Sequence, residues 1–239
     1  MSLNYTKTRS ENLIHIHATL EETSKVLELQ RALHEKKNHL FLKRFFDILL
    51  SVILIILFFP VLILTSLLIK LTSKGTIFYT DERIGFKGSR FRCYKFRSMV
   101  RDHTKKDDDY KIAMQQAQAG LLYKDKSDGR ITAVGKILRK TSIDELPQLF
   151  NVLAGDMSMV GPRPLVPFML KPFPEFEEVR SLIKPGITGL WQVKDRRSNT
   201  SAEFMIKHDT AYIENFNFFF DLKILAETPL VVFSGKGAL

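Results

Sequence analysis

The sequence has few of the residues that build disulfide, zinc or nucleotide-loop sites. Its only cysteine is Cys93, so no disulfide can form within the chain, which indicates a reducing compartment. Its six histidines are scattered without the spacing of a zinc site. The G-x-G-x-x-G and Walker patterns do not occur, so neither a dinucleotide site nor a P-loop is predicted. The first apolar run begins far from residue 1, which is not the pattern of a secretory signal.

Acidic residues are also in deficit. The 239 residues contain 36 Lys and Arg against 26 Asp and Glu, which gives a net charge of +10 and a pI near 9.6. Such a charge predicts a polyanionic partner, which could be nucleic acid, acidic lipid headgroups or a phosphorylated substrate. The length favours one main domain.

One uncharged run, Ile48–Ile69, is long enough to enter a membrane. As a straight helix it would measure about 33 Å, against about 30 Å for a hydrocarbon core. Pro60 lies inside this run, and a proline removes a backbone hydrogen bond and clashes with the preceding turn. The sequence therefore predicts two half-helices that meet at Phe59 and Pro60.

Cations flank this apolar run on both sides. They are Lys36, Lys37, Lys43 and Arg44 before it, and Lys70, Lys74 and Arg83 after it. Because positively charged flanks stay in the cytoplasm, we expect a re-entrant helix-break-helix hairpin, with a kinked membrane span as the alternative. Asp47 lies one helical turn after Lys43, so we expect the two side chains to pair at the membrane interface.

The rest of the pattern predicts an α+β fold that is mostly helical, in a monotopic membrane protein. Short strand-like runs at Gly75–Thr80 and Phe91–Phe96 predict a small β-hairpin. Apolar stretches at Ile213–Leu225 and Pro229–Phe233 contain charged residues. We therefore expect amphipathic interfacial helices there, with ordinary core packing as the alternative.

Three regions follow from these features. Residues 1–40 form an N-terminal extension of unknown function, with one helix predicted from Thr19 to Lys37. Residues 41–73 form the membrane hairpin, and residues 74–239 form a cytoplasmic domain that carries the interfacial helices.

Adjacent carboxylates at Asp144 and Glu145 are the strongest candidates for chemistry. Neighbouring carboxylates among cations can bind a divalent metal or supply a nucleophile. The alternative is purely structural, because Ser142-x-x-Glu145 also has the pattern of a capping box that begins a helix over Asp144–Leu153.

A basic segment precedes this pair, and it predicts either a cradle for phosphates or a face that rests on anionic lipid. Its cations are Arg83, Lys87, Arg90, Arg92, Lys95, Arg97 and Arg101. A glycine-rich turn at Lys184–Val193 would allow a ligand to approach the backbone closely.

Taken together, residues 42–239 resemble the bacterial monotopic phosphoglycosyl transferases, or bacterial sugar transferases. The matching motifs, in order, are Lys43-Arg-Phe-Phe-Asp47, Phe59-Pro60, Lys95-Phe-Arg-Ser-Met99, Asp144-Glu-Leu-Pro-Gln-Leu-Phe-Asn-Val-Leu153, Gly155-Asp-Met-Ser158, Gly161-Pro-Arg-Pro164 and Pro185-Gly-Ile-Thr-Gly189. The closing Ser234-Gly-Lys-Gly-Ala238 resembles the hexose-1-phosphate transferase branch. Two departures are Phe59, where small members often have serine, and Asp195-Arg-Arg197, where Ser-Gly-Arg or Asn-Gly-Arg is usual.

The resemblance implies that a UDP-sugar and a polyprenol phosphate give a polyprenol-diphosphate-sugar and UMP, with Mg²⁺, at the cytoplasmic face of the bacterial inner membrane. Asp144 would attack the β-phosphorus and carry the phosphosugar in a ping-pong cycle, and Glu145 would hold the metal or orient the acceptor phosphate. Candidates for substrate binding are Lys95, Arg97, Arg139, Arg163, Lys184 and Gln192. Expected partners are the two substrates, membrane lipids and a second copy in a homodimer, but no nucleic acid.

Two other functions stay open. One is a membrane-anchored glycosyltransferase that holds its metal with Asp107 and Asp109 and releases UDP, although a solvated loop is the more ordinary interpretation of this charged stretch. The other is a basic membrane adaptor without enzymatic activity, which would bind acidic lipid or nucleic acid in a salt-sensitive way.

Overall fold

A computed structural model describes residues 24–100, 112, 115–116, 129–171, 173–195 and 202–233. Its described helices are α1 (24–35), α2 (Lys37–Thr72), α3 (Ala133–Thr141), α4 (Gln148–Ala154), α5 (Pro167–Leu170), α6 (Pro174–Arg180), α7 (Leu190–Asp195), α8 (Ala202–Glu214) and α9 (Phe218–Phe233). The strands are β1 (Phe78–Ile84), β2 (Arg90–Phe96), β3 (Ser158–Val160) and β4 (Gly186–Thr188). Short 3₁₀ turns cover Phe86–Gly88 and Ile143–Glu145. The prediction of a mostly helical fold with a small β-hairpin is confirmed.

Helix α2 contains the apolar run, and within the described residues it alone is long and apolar enough to cross a membrane. Its middle turns expose large side chains, for example Ile56 at 69% and Leu57 at 64%. The sequence predicted two half-helices, whereas the structure has one helix that continues through Pro60. A proline removes only one backbone hydrogen bond, so the turns on either side of it can keep the helix continuous.

Both flanks of this apolar helix pack on the remainder of the chain. Near its start, Lys43, Asp47 and Ser51 are buried, and near its end Thr65 and Ile69 are buried. The C-terminal part contributes to a small core cluster with Phe96 of β2 and Leu138 of α3. The middle turns of α2 are therefore largely exposed, while both of its flanks pack against the rest of the chain.

The described part of the N-terminal extension is packed rather than loose. Leu29 and Leu33 of α1 are 2% and 6% exposed and belong to the main hydrophobic core. Lys25 Nζ lies 2.8 Å from Glu214 Oε1 at the end of α8. Residues 24–35 are thus part of the folded domain, although the function of the extension stays unknown.

The predicted β-hairpin is confirmed with a shifted boundary. Strands β1 and β2 are antiparallel, with Phe78 opposite Phe96 and Ile84 opposite Arg90. The chain turns through Lys87 and Gly88, both with positive φ, and β1 (Phe78–Ile84) lies later than the run predicted at Gly75–Thr80. Strand β2 then carries Lys95 toward the acidic pair.

A second, parallel pair of short strands was not predicted. Strand β3 pairs with β4 through Ser158 opposite Gly186 and Val160 opposite Thr188. A Cβ on Gly186 would lie 2.1 Å from the Gly161 nitrogen, so this close approach requires glycine. The pairing fixes the loop that begins at Gly161 against the glycine-rich turn.

The two predicted C-terminal stretches, Ile213–Leu225 and Pro229–Phe233, lie at the end of α8 and along one continuous helix, α9. Tyr212 and Ile224 are fully buried in the main core, whereas Phe219 and Leu230 are each 72% exposed. Core packing therefore accounts for the inner face of these helices. The outer face of α9 exposes large apolar side chains, and the interfacial position of these helices stays a prediction.

Candidate active site

The acidic pair lies in a 3₁₀ turn between two helices. Helix α3 begins at Thr132, whose Oγ1 accepts a hydrogen bond from the Gly135 nitrogen at 2.8 Å, and it ends at Thr141. Ser142 follows in the left-handed conformation, with φ of 58°. Such a residue closes a helix rather than opening one. The chain then forms the turn Ile143–Glu145, which buries both carboxylates.

The predicted capping box is therefore wrong. Ser142 makes no side-chain cap, and the expected helix over Asp144–Leu153 instead begins at Gln148, after Pro147. An N-cap needs extended backbone, which the left-handed geometry of Ser142 excludes. The acidic pair is consequently placed by tertiary contacts and by the 3₁₀ turn.

Glu145 is held by two cations from different parts of the chain. Its Oε1 lies 2.9 Å from Lys95 Nζ of β2 and 2.8 Å from Arg163 Nη2 in the loop after β3. The negative charge of Glu145 raises the pKa of Arg163 above its usual value. The salt bridges from Lys95 and Arg163 thus fix the orientation of the Glu145 carboxylate.

Asp144 differs, because no hydrogen bond or ion pair holds its carboxylate within the described ranges. Burial, followed by repulsion from Glu145, raises the pKa of Asp144 to about 6. The charges of Lys95, Arg139 and Arg163 oppose this increase. A buried carboxylate that is mainly ionised at neutral pH and has no partner can react as a nucleophile.

Arg139 acts on the acidic pair through its positive charge rather than through direct contact with a carboxylate. Its Nε donates to Ser98 Oγ at 2.9 Å, and Nη2 lies 2.9 Å from Met99 Sδ. These contacts hold its guanidinium on the Asp144 side of α3, where it lowers the pKa of Asp144. The structure thus brings three predicted cations together around the pair: Lys95, Arg139 and Arg163.

Arg97 is placed elsewhere. Its Nη1 donates to the Lys74 carbonyl at 2.8 Å, and its Nη2 donates to the Ser73 carbonyl and Oγ, each at 2.8 Å. A weaker contact reaches the Ile69 carbonyl at 3.4 Å. The guanidinium therefore closes the C-terminal end of α2, and the structure offers no contact that supports the predicted phosphate role.

Lys184 and Gln192 contact other parts of the fold. Lys184 Nζ lies beside Gly155 and Arg44, at the opposite end of α4 from Asp144. Gln192 Nε2 donates to the Ile187 carbonyl at 3.2 Å and so supports the glycine-rich turn from within. Their roles in binding substrate stay predictions.

A buried ion pair behind Arg163 was missed by the sequence analysis. Arg180 Nη2 donates to the Arg163 carbonyl and lies 3.1 Å from Asp209 Oδ2, with its guanidinium over the Phe176 ring. Burial raises the pKa of Asp209 to about 7, and Arg180 opposes this increase. A signal existed in the sequence: Asp209 follows Met205 by four residues, so both lie on the buried face of α8.

The membrane-helix residues anchor α2 to the segment that carries Arg163. The expected Lys43–Asp47 pair is wrong. Lys43 Nζ lies 2.6 Å from Asp221 Oδ2 of α9 and donates to the Val160 carbonyl at 2.7 Å. Asp47 Oδ1 instead accepts from Ser158 Oγ at 3.0 Å and from the Met159 nitrogen at 2.9 Å.

These partners satisfy each buried charge better than a pair along one helix could, because they come from several sides. Tyr212 adds a further hydrogen bond, since its hydroxyl donates to Asp221 Oδ1 at 2.8 Å. Burial raises the pKa of Asp221, and the charge and hydrogen bond of Lys43 lower it.

No group of three or more His, Cys, Asp or Glu side chains suited to a metal occurs in the described part of the chain. Magnesium needs no such group, because it is commonly held by one or two carboxylates together with substrate phosphates. Asp144 and Glu145 fit that mode. Asp107 and Asp109 lie outside the described residues.

Comparison with known proteins gives consistent findings. The family model described as "Bacterial sugar transferase" matches residues 38–235. The chain is 42% identical over 206 residues to the undecaprenyl-phosphate galactose phosphotransferase of Salmonella typhimurium, which covers 85% of this chain and 43% of that protein. It is 37% identical over 198 residues to the exopolysaccharide production protein ExoY of Rhizobium meliloti, which covers 82% of this chain and 87% of that protein.

A third similarity is to the UDP-glucose:undecaprenyl-phosphate glucose-1-phosphate transferase of Klebsiella pneumoniae. The identity is 39% over 209 residues, which is 82% of this chain and 41% of that protein. The chain spans less than half the length of the first curated relatives that it matches.

Proposed function

The chain belongs to the bacterial sugar transferase family, and from this premise we propose that it transfers a sugar 1-phosphate from a UDP-sugar to a polyprenol phosphate. The products are UMP and a polyprenol-diphosphate-sugar. The names of the relatives support this reaction, because they specify undecaprenyl phosphate together with galactose or glucose.

The observation that carries the mechanism is the different environment of the two adjacent carboxylates. Glu145 is fixed by Lys95 and Arg163, whereas the Asp144 carboxylate has no partner among the described residues. A carboxylate that is already paired with two cations is a poor nucleophile, because attack would break both salt bridges. Asp144 is therefore the nucleophile, and Glu145 is the group that orients the cations.

The reaction proceeds in two displacements at one phosphorus atom. An oxygen of Asp144 attacks the β-phosphorus of the UDP-sugar, and the bond to the bridging oxygen breaks, so that UMP leaves with the electron pair. An oxygen of the polyprenol phosphate then attacks the same phosphorus. The bond to Asp144 breaks, and the free carboxylate is restored.

The cations around the pair stabilise the charge that these steps concentrate. Lys95 and Arg163 already approach Glu145 from one side, and Arg139 acts on Asp144 from α3. Fixed positive groups at a site that is largely removed from water stabilise a pentacoordinate phosphorus more strongly than they would in water. Magnesium, held by Asp144 and Glu145, would neutralise part of the diphosphate charge.

Helix α2 enters and leaves the same leaflet in this proposal, on the cytoplasmic face of the bacterial inner membrane. Arg44, before the apolar run, bonds the end of α4, and Ile69, the last residue of the run, packs in the cluster of Phe96 and Leu138. A helix that crossed the bilayer would place these two flanks on opposite sides, about 30 Å apart. One domain that binds both flanks is better explained by a re-entrant helix that stays continuous but bends near Pro60, at its deepest point.

The outer face of α9 then lies in the interfacial region. Its exposed Phe219 and Leu230 give it the apolar surface that such a position requires. The polyprenol phosphate would present its charged group at this same level, and the acidic pair would reach it from the cytoplasmic side. A homodimer stays a prediction.

The test is mass spectrometry of the intact protein incubated with a UDP-sugar alone. UDP-galactose and UDP-glucose are the first donors to try. We expect a mass increase of one phosphosugar, located on the peptide that carries Asp144, together with one equivalent of UMP. The Asp144→Asn variant should show neither, while the control Glu203→Gln, at an exposed carboxylate of α8, should match the wild type.

Two outcomes would contradict the proposal. Release of UDP in place of UMP would identify an ordinary glycosyltransferase. Full turnover by Asp144→Asn would remove the covalent step.

A further inference from the structure

Two cations meet at the C-terminal end of α4, away from the acidic pair. Arg44 of α2 donates from Nη1 to the Val152 carbonyl at 2.6 Å and from Nη2 to the Leu153 carbonyl at 3.0 Å. Lys184, in the glycine-rich turn, reaches the same place from the other side. A Cβ on Gly155 would lie 3.5 Å from Lys184 Nζ and 3.6 Å from Arg44 Nη2.

The two charges face each other across the position that a side chain at residue 155 would occupy. Each cation lies within 3.6 Å of the same point, so their nitrogens can be separated by no more than about twice that distance. Gly155 has φ of 94° and no side chain, so nothing from this residue fills that position. One phosphate group, with several oxygens, could accept from both cations there.

Neither cation has a carboxylate at ion-pair distance in the part of the chain that the structure describes. Burial, followed by repulsion from Arg44, lowers the pKa of Lys184, and Asp47 and Asp156 compensate only from a longer distance. Asp47 is already bonded to Ser158 and Met159. The pair therefore carries positive charge that the described residues leave unneutralised.

The position along α2 sets the depth of this charge. Arg44 precedes the uncharged run Ile48–Ile69 by one helical turn, so it lies where the helix passes from water into hydrocarbon. Both Arg44 and Lys184 are half-buried, so solvent or a headgroup can still reach them. The phosphates of membrane lipids occupy this level.

We propose that Arg44 and Lys184 bind the phosphate of an anionic phospholipid and so fix the depth and tilt of the protein in the membrane. The acceptor phosphate is a different ligand, because it must reach the phosphorus carried by Asp144. Asp144 lies in the turn before α4 and Gly155 follows its last residue, so the two sites are at opposite ends of a helix about 10 Å long at 1.5 Å per residue. The inference needs α2 to lie in the membrane, but it does not need the phosphosugar transfer.

Lipid retention tests this site without either substrate. The full chain is reconstituted in nanodiscs of phosphatidylcholine and phosphatidylglycerol in equal parts, then released, and native mass spectrometry counts the phosphatidylglycerol that stays bound. We expect one retained molecule per chain, and a five- to tenfold lower bound fraction for Lys184→Gln. Lys184→Arg should restore retention, because it keeps the charge.

The matched control is Lys207→Gln, which removes an exposed lysine of α8. Lys184 is the better test position than Arg44, because Arg44 also closes α4. Equal retention by wild type and Lys184→Gln would overturn the proposal, and so would an equal loss in Lys207→Gln. Displacement of phosphatidylglycerol by one equivalent of added polyprenol phosphate would also overturn it, since the pair would then be part of the acceptor site.

Discussion

Asp144 and Asp221 are both buried aspartates, but they differ in the partners that bind their carboxylates. Both are more than nine-tenths buried, and burial raises the pKa of each. Asp221 is bonded by Lys43 at 2.6 Å and by Tyr212 at 2.8 Å, whereas Asp144 has no such bond within the described residues. The comparison teaches that a buried carboxylate without a partner is available for chemistry, and that a fully bonded one joins elements together.

The largest effect is expected from Asp144→Asn. Turnover should fall on the order of 10⁴-fold, because the amide cannot form the covalent intermediate. The thermal midpoint of the purified protein should not fall, since no described hydrogen bond to the carboxylate is lost. A marked loss of stability would show that Asp144 has a structural function like that of Asp221.

A loss of stability is expected, in contrast, when the Lys43–Asp221 pair is broken. Asp221→Asn should reduce the free energy of unfolding by about 3–5 kcal/mol, because it leaves Lys43 as a buried charge without its counterion. Thermal unfolding in nanodiscs measures the loss. The double variant Lys43→Met with Asp221→Leu should recover most of it, and a double variant as unstable as the single one would contradict this account.

A smaller loss of activity is expected when the buried ion pair of Arg180 and Asp209 is broken. Asp209→Asn removes the counterion of Arg180, which holds the carbonyl of Arg163, and Arg163 binds Glu145. We expect kcat to fall about tenfold with little change in KM for the donor, because cation placement and not substrate affinity is disturbed. A change in KM alone would indicate that Asp209 acts on substrate binding.

The mildest perturbation leaves the sequence unchanged and alters only the pH. The pKa of Asp144 is raised from 3.8 to about 6, so the nucleophile is lost as the pH falls through 6. Adduct formation at pH 5 should be about tenfold slower than at pH 7. Glu145→Gln removes the negative charge that repels Asp144 and should lower the pKa of Asp144. The fall in the rate of adduct formation should then occur at lower pH, which rapid-quench measurements can follow.

The sign of the stability effect at Asp144 is opposite to that of an ordinary surface carboxylate. Because its pKa in the folded protein lies above the value in the unfolded chain, ionisation opposes folding above about pH 6. Wild type should therefore gain stability relative to Asp144→Asn as the pH is lowered from 7 to 5. An equal pH dependence in both proteins would show that the carboxylate is already neutral or already paired.

Local patterns in the sequence predicted α2, the β-hairpin and the acidic pair, because each depends on neighbouring residues. Contacts between distant residues were beyond such patterns. Lys43 was assigned to Asp47, four residues away, whereas its partner Asp221 is 178 residues away. The three-residue strands β3 and β4 are too short to show alternation, and only their glycines indicated a close approach.

The sequence predicted an acidic pair surrounded by cations, but not which of these cations contact it. A run of cations in β2 could not separate Lys95, which binds Glu145, from Arg97, which binds carbonyls at the end of α2. That difference depends on where the strand ends and where the preceding helix stops. The left-handed conformation of Ser142 could not be predicted for a similar reason. It depends on where α3 ends.

The bonds from Lys43 and Asp47 to β3 have a mechanical consequence. They join the membrane helix to Val160, Ser158 and Met159, and the next residues along the chain lead directly to Arg163. Any rotation of α2 must carry this loop with it or break buried hydrogen bonds. If α2 lies in the bilayer as proposed, a change in bilayer thickness that tilts it would therefore move Arg163 relative to Glu145 and alter the proposed reaction.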